Sequence, residues 1–137
     1  RVLDDRDAGG LAAAIALGLA SVPLESARAV LLGDLPSLRP DDLSAALHAA
    51  AEFDLATTPD ADGDGTTLVT ARSGVPLLPE FGADSALAHR AAGFVPLPIE
   101  ADSSLRRDVD TVEHLAAAAR LGLGPRTAAV LAAAAAS

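Results

Sequence analysis

The stretch "ARAVLLGD" (residues 27–34) decides the fold class, because it is a short, continuous apolar run that ends on Gly-Asp. A run without polar alternation is typical of a strand buried on both faces, as the strands of parallel sheets are. The run therefore predicts a buried parallel strand with the carboxylate of Asp34 at its carboxyl end. Ligands of such sheets bind beyond the carboxyl ends of the strands, which makes Asp34 a candidate site residue.

Helix-like and strand-like segments alternate along the rest of the chain. Helices are predicted over residues 11–20, 43–52, 85–93 and 112–122 and onward from Pro125, and further strands over residues 53–59, 66–72, 94–100 and 105–110. Prolines in the third of these strands place it at an edge of the sheet. Helix starts are predicted at Asp41 or Asp42, at Ser85 and at Thr111. The alternation predicts an α/β sandwich with a mostly parallel sheet.

The composition of the 137-residue chain indicates one domain and argues against several classes of protein. A net charge of −9, with ten scattered basic residues, predicts no nucleic-acid partner. Without cysteine there is neither a disulfide nor a thiolate metal site. No apolar run is long enough to span a bilayer, so we expect a soluble cytoplasmic protein without a membrane partner. Because the chain opens on Arg1 and contains no methionine, we also expect a fragment.

The loop "PDADGDGTT" (residues 59–67) combines alternating carboxylates with two glycines. Its aspartates match positions 1, 3 and 5 of a calcium loop: Asp60, Asp62 and Asp64. The twelfth position, however, is Ala71 rather than a bidentate glutamate. The glycines and the hydroxyl of Thr66 or Thr67 are also typical of a backbone cradle for phosphate. A plain solvated turn is the third interpretation, and the loop alone does not choose among them.

A second set of hydrogen-bond donors lies in "FGADS" (residues 81–85), where Gly82 stands just before the predicted helix start at Ser85. The free N–H groups of a helix N-terminus bind phosphate and carboxylate groups. The segment therefore predicts an anion site that includes both residues. Ser85 is equally compatible with an ordinary N-cap.

Paired carboxylates also occur in "RRDVDT", where Asp108 and Asp110 share one face if the segment is extended. Together with Asp34 they would approach from different strand ends. Such a set predicts a magnesium site, completed by water and by substrate phosphates. The alternative for Asp110 is that it, or Thr111, caps the next helix.

The three histidines give weaker signals. His48 and His114 are isolated inside predicted helices and are expected on partly exposed faces. His89 lies one turn after Ser85 on the same helix face, where it either orients the phosphate site or has a structural role. No spacing typical of a catalytic triad or a zinc site is present, so no side chain is predicted as an acid, a base or a nucleophile.

Five segments, taken in order, resemble the 2-phospho-L-lactate guanylyltransferase family, which includes the actinobacterial phosphoenolpyruvate guanylyltransferases. They are "GDLPSLRPDDL", "DADGDGTTL", "FGADSALAHRAAG", "LRRDVDT" and "LGLGPRTAAVL", and the resemblance runs from about Gly9 to Leu131. It implies a Rossmann-like, GT-A-like nucleotidyltransferase sandwich. Residues 1–137 would be the C-terminal two thirds of that single domain, lacking its first strand–helix units and inactive alone.

The resemblance also implies a reaction, in which GMP passes from GTP to the phosphate of phosphoenolpyruvate or 2-phospho-L-lactate and pyrophosphate leaves. The product belongs to the biosynthesis of the deazaflavin coenzyme F-420. The implied roles are magnesium binding by Asp34 and Asp108 with Asp110 close by, and binding of the three-carbon phospho-acid by Thr66, Gly82 and Ser85. A phosphate monoester is mostly dianionic at pH 7, so the attack needs no general base.

Three positions depart from the family pattern. Asp64 stands between the loop glycines where the family has a neutral residue, Asp62 is unusual, and Ala12 replaces an asparagine. These departures keep rival interpretations open. One rival is a nucleotidyltransferase with another acceptor or base, as in molybdenum-cofactor guanylyltransferases. The other two are an inactive homologue that serves as a binding domain and a calcium-stabilised module.

Overall fold

A computed structural model of the chain describes Asp4 and residues 9–136. Its five helices and four strands alternate much as the sequence predicts. In chain order the elements are α1 (Leu11–Ala20), β1 (Arg28–Leu31), α2 (Pro40–Ala50), β2 (Leu55–Pro59), β3 (Thr66–Ala71), α3 (Ser85–Ala91), β4 (Val95–Pro96), a 3₁₀ turn (Ser104–Arg106), α4 (Val112–Leu121) and α5 (Pro125–Ala135). The α/β class is therefore confirmed.

The four strands form one mixed sheet in the order β1-β3-β2-β4. β3 is antiparallel to both β1 and β2, and only β4 pairs in parallel, with β2. The prediction of a mostly parallel sheet is therefore wrong. The reason is the short connection between β2 and β3, residues 60–65, because parallel neighbours need a crossover of about a dozen residues or more.

Strand direction still collects three strand ends at one edge of the sheet. Because β1 and β2 are both antiparallel to β3, they run in the same direction as each other, and β4 shares that direction. The carboxyl ends of β1 and β2 lie beside the beginning of β3, while β4 lies on the far side of β2. Loops that follow β1 and β2 therefore meet the β2–β3 turn at this edge.

The core lies on both faces of the sheet, and β3 is buried at every position. Successive side chains of a strand point to opposite faces, so Leu68 and Val69 belong to two different apolar clusters. On one face Ala46 and Ala50 of α2 cover the sheet, and on the other Leu19 of α1 packs against it. Burying a side chain such as Leu68 contributes about 1.5–3 kcal/mol, which fixes the central strand firmly.

Two predicted strands differ from the structure. β1 is an edge strand whose residues alternate between half-buried and exposed, so the prediction of a strand buried on both faces is wrong. The segment 105–110 contains no strand. Its first two residues are the end of the 3₁₀ turn. The Ser103 hydroxyl accepts a hydrogen bond from the amide of Leu105 at 3.3 Å, so this amide has a partner within the turn.

Most predicted helix boundaries are confirmed. The Thr111 hydroxyl caps α4 by accepting a hydrogen bond from the His114 amide at 3.1 Å, and Pro125 opens α5. β4 occupies the predicted edge position. The predicted cap of α2 at Asp41 or Asp42 is wrong, because Arg39 holds the N-cap position and both aspartates lie inside the first turn. In the described part of the chain no helix is both long and apolar enough to cross a membrane.

Candidate functional site

A cavity of about 400 Å³ opens at the sheet edge where β1 and β2 end and β3 begins. Every residue that the sequence assigned to metal or substrate binding lines it: Asp34, Thr66, Gly82, Ser85, Asp108 and Asp110. They come from the loop after β1, the first residue of β3, the loop before α3, the first residue of α3 and the segment after the 3₁₀ turn. The fold therefore gathers into one cavity residues that are far apart in the sequence.

Part of the cavity lining is acidic, and we call it the acidic wall: Asp34, Asp60, Asp108 and Asp110. Burial, together with the charges of the other three carboxylates, raises the pKa of Asp108 to about 6. The other three carboxyl groups therefore interact electrostatically with that of Asp108 across the cavity. The wall disfavours a further negative charge and favours a cation. Asp60 was not among the predicted magnesium ligands, since the sequence places it in the loop, where it was only a candidate calcium ligand.

Replacing Asp108 with asparagine is expected to raise the melting temperature at pH 7 by about 2–4 °C when divalent cations are absent. Asp108 has a pKa of about 6 in the folded protein, against an ordinary value of 3.8. The stability that it contributes is therefore present below pH 3.8 and is lost as the pH rises through 6. The uncharged side chain of asparagine avoids that loss of stability. We take the loss as ~1 kcal/mol, because solvent screens a half-buried group. The gain should shrink toward pH 4.

Thermal unfolding followed by circular dichroism at several pH values measures this effect. Asp102→Asn, at an exposed carboxylate outside the cavity, is the matched control and should change little. An equal gain in both variants at pH 7 would contradict the repulsion described for Asp108.

The acidic wall suits a hard divalent cation, because it offers oxygen ligands only. Among Asp4 and residues 9–136, no three acidic, histidine or cysteine side chains already stand close enough to hold a metal ion. Magnesium does not need such a cage, since one or two carboxylates commonly bind it while waters and substrate phosphates complete the coordination. The wall therefore fits a magnesium ion that arrives with a phosphate ligand.

The rest of the cavity lining contains two further aspartates, Asp64 and Asp84, together with several hydrogen-bond donors. Thr66 and Ser85 are almost fully buried, and the Ser85 hydroxyl has no hydrogen-bond partner within the described residues. The amides of Gly82, Ala83 and Asp84 likewise donate to no protein atom in that part of the chain. Successive free N–H groups in a loop form a concavity that binds anions. This donor loop, residues 82–84, therefore suits a phosphate or a carboxylate.

The first two amides of α3 already donate hydrogen bonds to carbonyl groups of the protein. The Ser85 amide donates to the carbonyl of Gly82 at 3.2 Å, and the Ala86 amide donates to the carbonyl of Asp64 at 2.9 Å. The expectation of free N–H groups at this helix N-terminus is therefore wrong, and the free donors lie one loop earlier. The N-cap alternative for Ser85 is wrong as well, because Asp84, with a left-handed φ of 55°, holds that position.

The acidic loop is the turn of the β2–β3 hairpin. The Asp60 carboxylate accepts a hydrogen bond from the Gly63 amide at 2.6 Å, and the Asp60 amide donates to the Gly65 carbonyl at 3.1 Å. A Cβ atom on Gly65 would lie 2.1 Å from Oδ2 of Asp60, so only glycine allows this close approach. Arg106 fixes the loop from outside by donating to the Asp60 carbonyl at 2.8 and 3.1 Å. No local pattern in the sequence indicates this role of Arg106.

The other two loop aspartates have different surroundings. Oδ2 of Asp62 lies 3.4 Å from Nε2 of His114, which links the loop to α4. Asp64 lines the cavity, and its backbone carbonyl holds the start of α3. Since a strand follows the loop and separate partners engage its aspartates, these contacts are those of a hairpin turn rather than of a calcium loop.

Two of the three histidines contact cavity residues: the half-buried His114 accepts a hydrogen bond at Nδ1 from the Asp110 amide at 3.4 Å, and His89 contacts Thr66. His89 has the more enclosed position. It is fully buried, with its ring edge-to-face against Phe81 and Phe94 at centroid distances of 5.4 and 5.0 Å. Nδ1 lies 3.0 Å from the hydroxyl oxygen of Thr66, and the Glu80 amide donates to Nε2 at 3.0 Å. Burial lowers the pKa of His89, so the ring is neutral at pH 7. His48 is exposed, as predicted.

Comparison with known proteins gives a consistent result. The chain is 52% identical over 134 residues to the phosphoenolpyruvate guanylyltransferase of Streptomyces coelicolor, covering 96% of this chain and 63% of that protein. It is 54% identical over 132 residues to the protein of the same name from Sanguibacter keddieii, covering 90% and 46%. A third, from Salinispora arenicola, is 52% identical over 130 residues, covering 93% and 60%.

Each alignment thus takes in nearly all of this chain, while the chain spans less than two thirds of each relative's length. No family model matches the chain.

Proposed function

The chain belongs to the phosphoenolpyruvate guanylyltransferase family, and on this premise we propose that the complete gene product transfers GMP from GTP to phosphoenolpyruvate and releases pyrophosphate. The observation that carries the proposal is the cavity, in which the acidic wall adjoins the free hydroxyl and amide donors. An anionic acceptor and a metal–nucleotide complex need this combination. The family resemblance extends the proposal to the biosynthesis of coenzyme F-420.

The donor side of the cavity would bind the acceptor. The hydroxyls of Thr66 and Ser85 and the amide of Gly82 supply neutral donors, which suit the phosphate and carboxylate groups of a three-carbon acid. Hydrogen bonds to charged groups contribute about 1.5–3 kcal/mol each, so three of them are enough to hold a small dianion in place. Positioning of the attacking oxygen would be the main contribution of these residues.

The acidic wall would bind magnesium through Asp34 and Asp108, with Asp110 close by. When bound, the ion would neutralise charge on the transferred phosphate and on the leaving pyrophosphate. No residue of the chain is needed as a base, because the phosphate of the acceptor is already mostly dianionic at pH 7. This agrees with a cavity whose lining contains no histidine among the described residues, and with His89 buried beside Thr66.

The finer fold assignment belongs to the same proposal. A Rossmann-like nucleotidyltransferase sandwich is supported by three strands of common direction, two of which (β1 and β2) end at the cavity, and by apolar clusters on both faces of the sheet. Ligands of open α/β sheets bind at such strand ends.

Magnesium-dependent release of pyrophosphate from GTP tests the function directly. The complete gene product should release pyrophosphate with phosphoenolpyruvate as acceptor, more slowly or not at all with 2-phospho-L-lactate, and not without an acceptor. Replacing GTP with CTP tests the base, and replacing magnesium with calcium tests the metal. A folded protein that releases no pyrophosphate under any of these conditions would contradict the proposal and favour an inactive homologue, for which Asp64 in the cavity would be the first candidate cause.

A further inference from the structure

The hydrogen bonds of His89 determine which of its ring nitrogens carries the proton. A backbone amide can only donate, so Nε2 accepts from Glu80 and carries no hydrogen. A neutral imidazole has one N–H group, which must then be on Nδ1. Nδ1 lies 3.0 Å from the Thr66 hydroxyl oxygen and donates to it.

This tautomer leaves the hydroxyl proton of Thr66 without an acceptor inside the protein. The hydroxyl oxygen already accepts the Nδ1–H group, and it has no other hydrogen-bond partner among the described residues. Thr66 is 3% exposed and lines the cavity, so a ligand in the cavity is the remaining acceptor for its proton. With the opposite tautomer the hydroxyl would donate to Nδ1 and would present only lone pairs to an anion.

We infer that His89 is a positioning residue for the acceptor, holding the Thr66 hydroxyl so that it donates to an anionic group in the cavity. The inference rests on the proposed function for the identity of that anion as phosphoenolpyruvate. His89 acts through Thr66 and does not touch the ligand itself.

The same ring connects two parts of the donor side. Through Nε2 it holds the amide of Glu80, two residues before the donor loop that begins at Gly82. Through Nδ1 it reaches the first residue of β3. Phe81 and Phe94 pack edge-to-face against the ring and restrict its rotation. The position of the loop and the direction of the hydroxyl therefore depend on one side chain.

The tautomer is measurable without any turnover. In the complete gene product labelled with ¹⁵N-histidine, a long-range ¹H–¹⁵N spectrum distinguishes a protonated ring nitrogen from an unprotonated one. The signal that disappears in His89→Gln is that of His89. Protonated Nδ1 with unprotonated Nε2 is expected, and the reverse pattern would overturn the inference.

Binding of phosphoenolpyruvate, measured by isothermal titration calorimetry in the presence of magnesium, tests the consequence. His89→Gln places its amide where Nε2 was and keeps a partner for Glu80, but it loses the donor to Thr66. His89→Asn places its amide nearer the position of Nδ1 and can retain that donor. We expect His89→Gln to weaken phosphoenolpyruvate binding by about tenfold or more, the cost of one hydrogen bond to a charged group, and to change GTP binding less than about twofold.

A double-mutant cycle with Thr66→Val separates positioning from general damage. If His89 acts through the hydroxyl, His89→Gln should change phosphoenolpyruvate affinity by less than about twofold once the hydroxyl is gone. His89→Asn should bind phosphoenolpyruvate more tightly than His89→Gln does, and His48→Gln, at an exposed helical histidine, should bind like the parent. Equal losses in both backgrounds, or parallel losses of GTP and phosphoenolpyruvate affinity, would overturn the inference.

These readouts are independent of catalysis. A parent protein that binds phosphoenolpyruvate but releases no pyrophosphate contradicts the proposed function and leaves the cycle interpretable. A parent that does not bind phosphoenolpyruvate overturns this role of His89 for that acceptor, whatever its tautomer.

Discussion

Asparagine in place of Asp34 is expected to abolish pyrophosphate release by the complete gene product while leaving the fold intact. Asp34 is exposed, lines the cavity and makes no hydrogen bond or ion pair within the described residues, so an isosteric change should not disturb packing. Its proposed role is to hold magnesium together with Asp108. Losing ~4 kcal/mol of charge stabilisation in the transition state corresponds to a loss of about 10³-fold in rate.

The measurement is initial-rate pyrophosphate release over a range of magnesium concentrations, paired with thermal unfolding of the same samples. Asp102→Asn changes an exposed carboxylate outside the cavity and should retain the parent rate. If Asp34→Asn turned over near the parent rate, Asp34 would not be a metal ligand. If excess magnesium partly restored the rate, weakened metal binding rather than lost positioning would explain the defect.

The cavity was predictable from sequence to the extent that each of its parts has a local signal. Asp34 follows an apolar run, Thr66 follows a glycine turn, and Ser85 begins a helix after a glycine-containing loop. Such signals depend on neighbours within a few residues, and they locate the residues at element ends correctly. That these ends meet in one cavity follows from the common direction of β1 and β2.

The direction of β3 was not predicted, although the sequence contains the reason for it. The loop of residues 60–65 is too short for a crossover, and its Asp-Gly-Asp-Gly segment is typical of a hairpin turn. The same aspartates and glycines fit both a ligand-binding motif and a tight turn. Gly65 shows both aspects, since it lines the cavity and also leaves room for the Asp60 carboxylate within the turn.

Long-range hydrogen bonds had no local signal at all. His89 reaches Thr66 across 23 positions, and Arg106 reaches the Asp60 carbonyl across 46. Both depend on where the backbone of another element passes, which residue spacing does not encode. The prediction of a strand over residues 105–110 failed for the same reason, because Asp42 of α2 binds Ser103 and Ser104 and so holds the 3₁₀ turn with which that segment begins.

Replacement of Asp42 should accordingly destabilise the fold strongly. Its Oδ2 atom accepts hydrogen bonds from the Ser104 amide at 2.8 Å, the Ser104 hydroxyl at 2.6 Å and the Ser103 hydroxyl at 3.2 Å. The two bonds from Ser104, the one from its hydroxyl above all, lower the pKa of Asp42 to about 2, with a further contribution from Arg39. They tie α2 to the 3₁₀ turn that precedes the acidic wall.

Alanine at Asp42 would leave the amide and hydroxyl of Ser104, a fully buried residue, without this acceptor. An unsatisfied buried polar group costs about 1–3 kcal/mol, so we expect the free energy of unfolding to fall by about 3 kcal/mol. Urea unfolding at pH 7 measures it. Asp41→Ala, at the exposed neighbour in the same helical turn, is the control and should cost less than about 0.5 kcal/mol.

The pH dependence of the Asp42→Ala effect identifies its cause. A carboxyl with a folded pKa near 2 contributes stability that is present above its ordinary pKa of 3.8 and is lost as the pH falls through 2. The difference between the parent and Asp42→Ala should therefore narrow between pH 4 and pH 2. Asp42→Asn, which keeps an acceptor oxygen without the charge, should lie between the two at pH 7. If the stability difference between the parent and Asp42→Ala stayed constant down to pH 2, Asp42 would act by packing alone. Its effect on the 3₁₀ turn would then not depend on its charge.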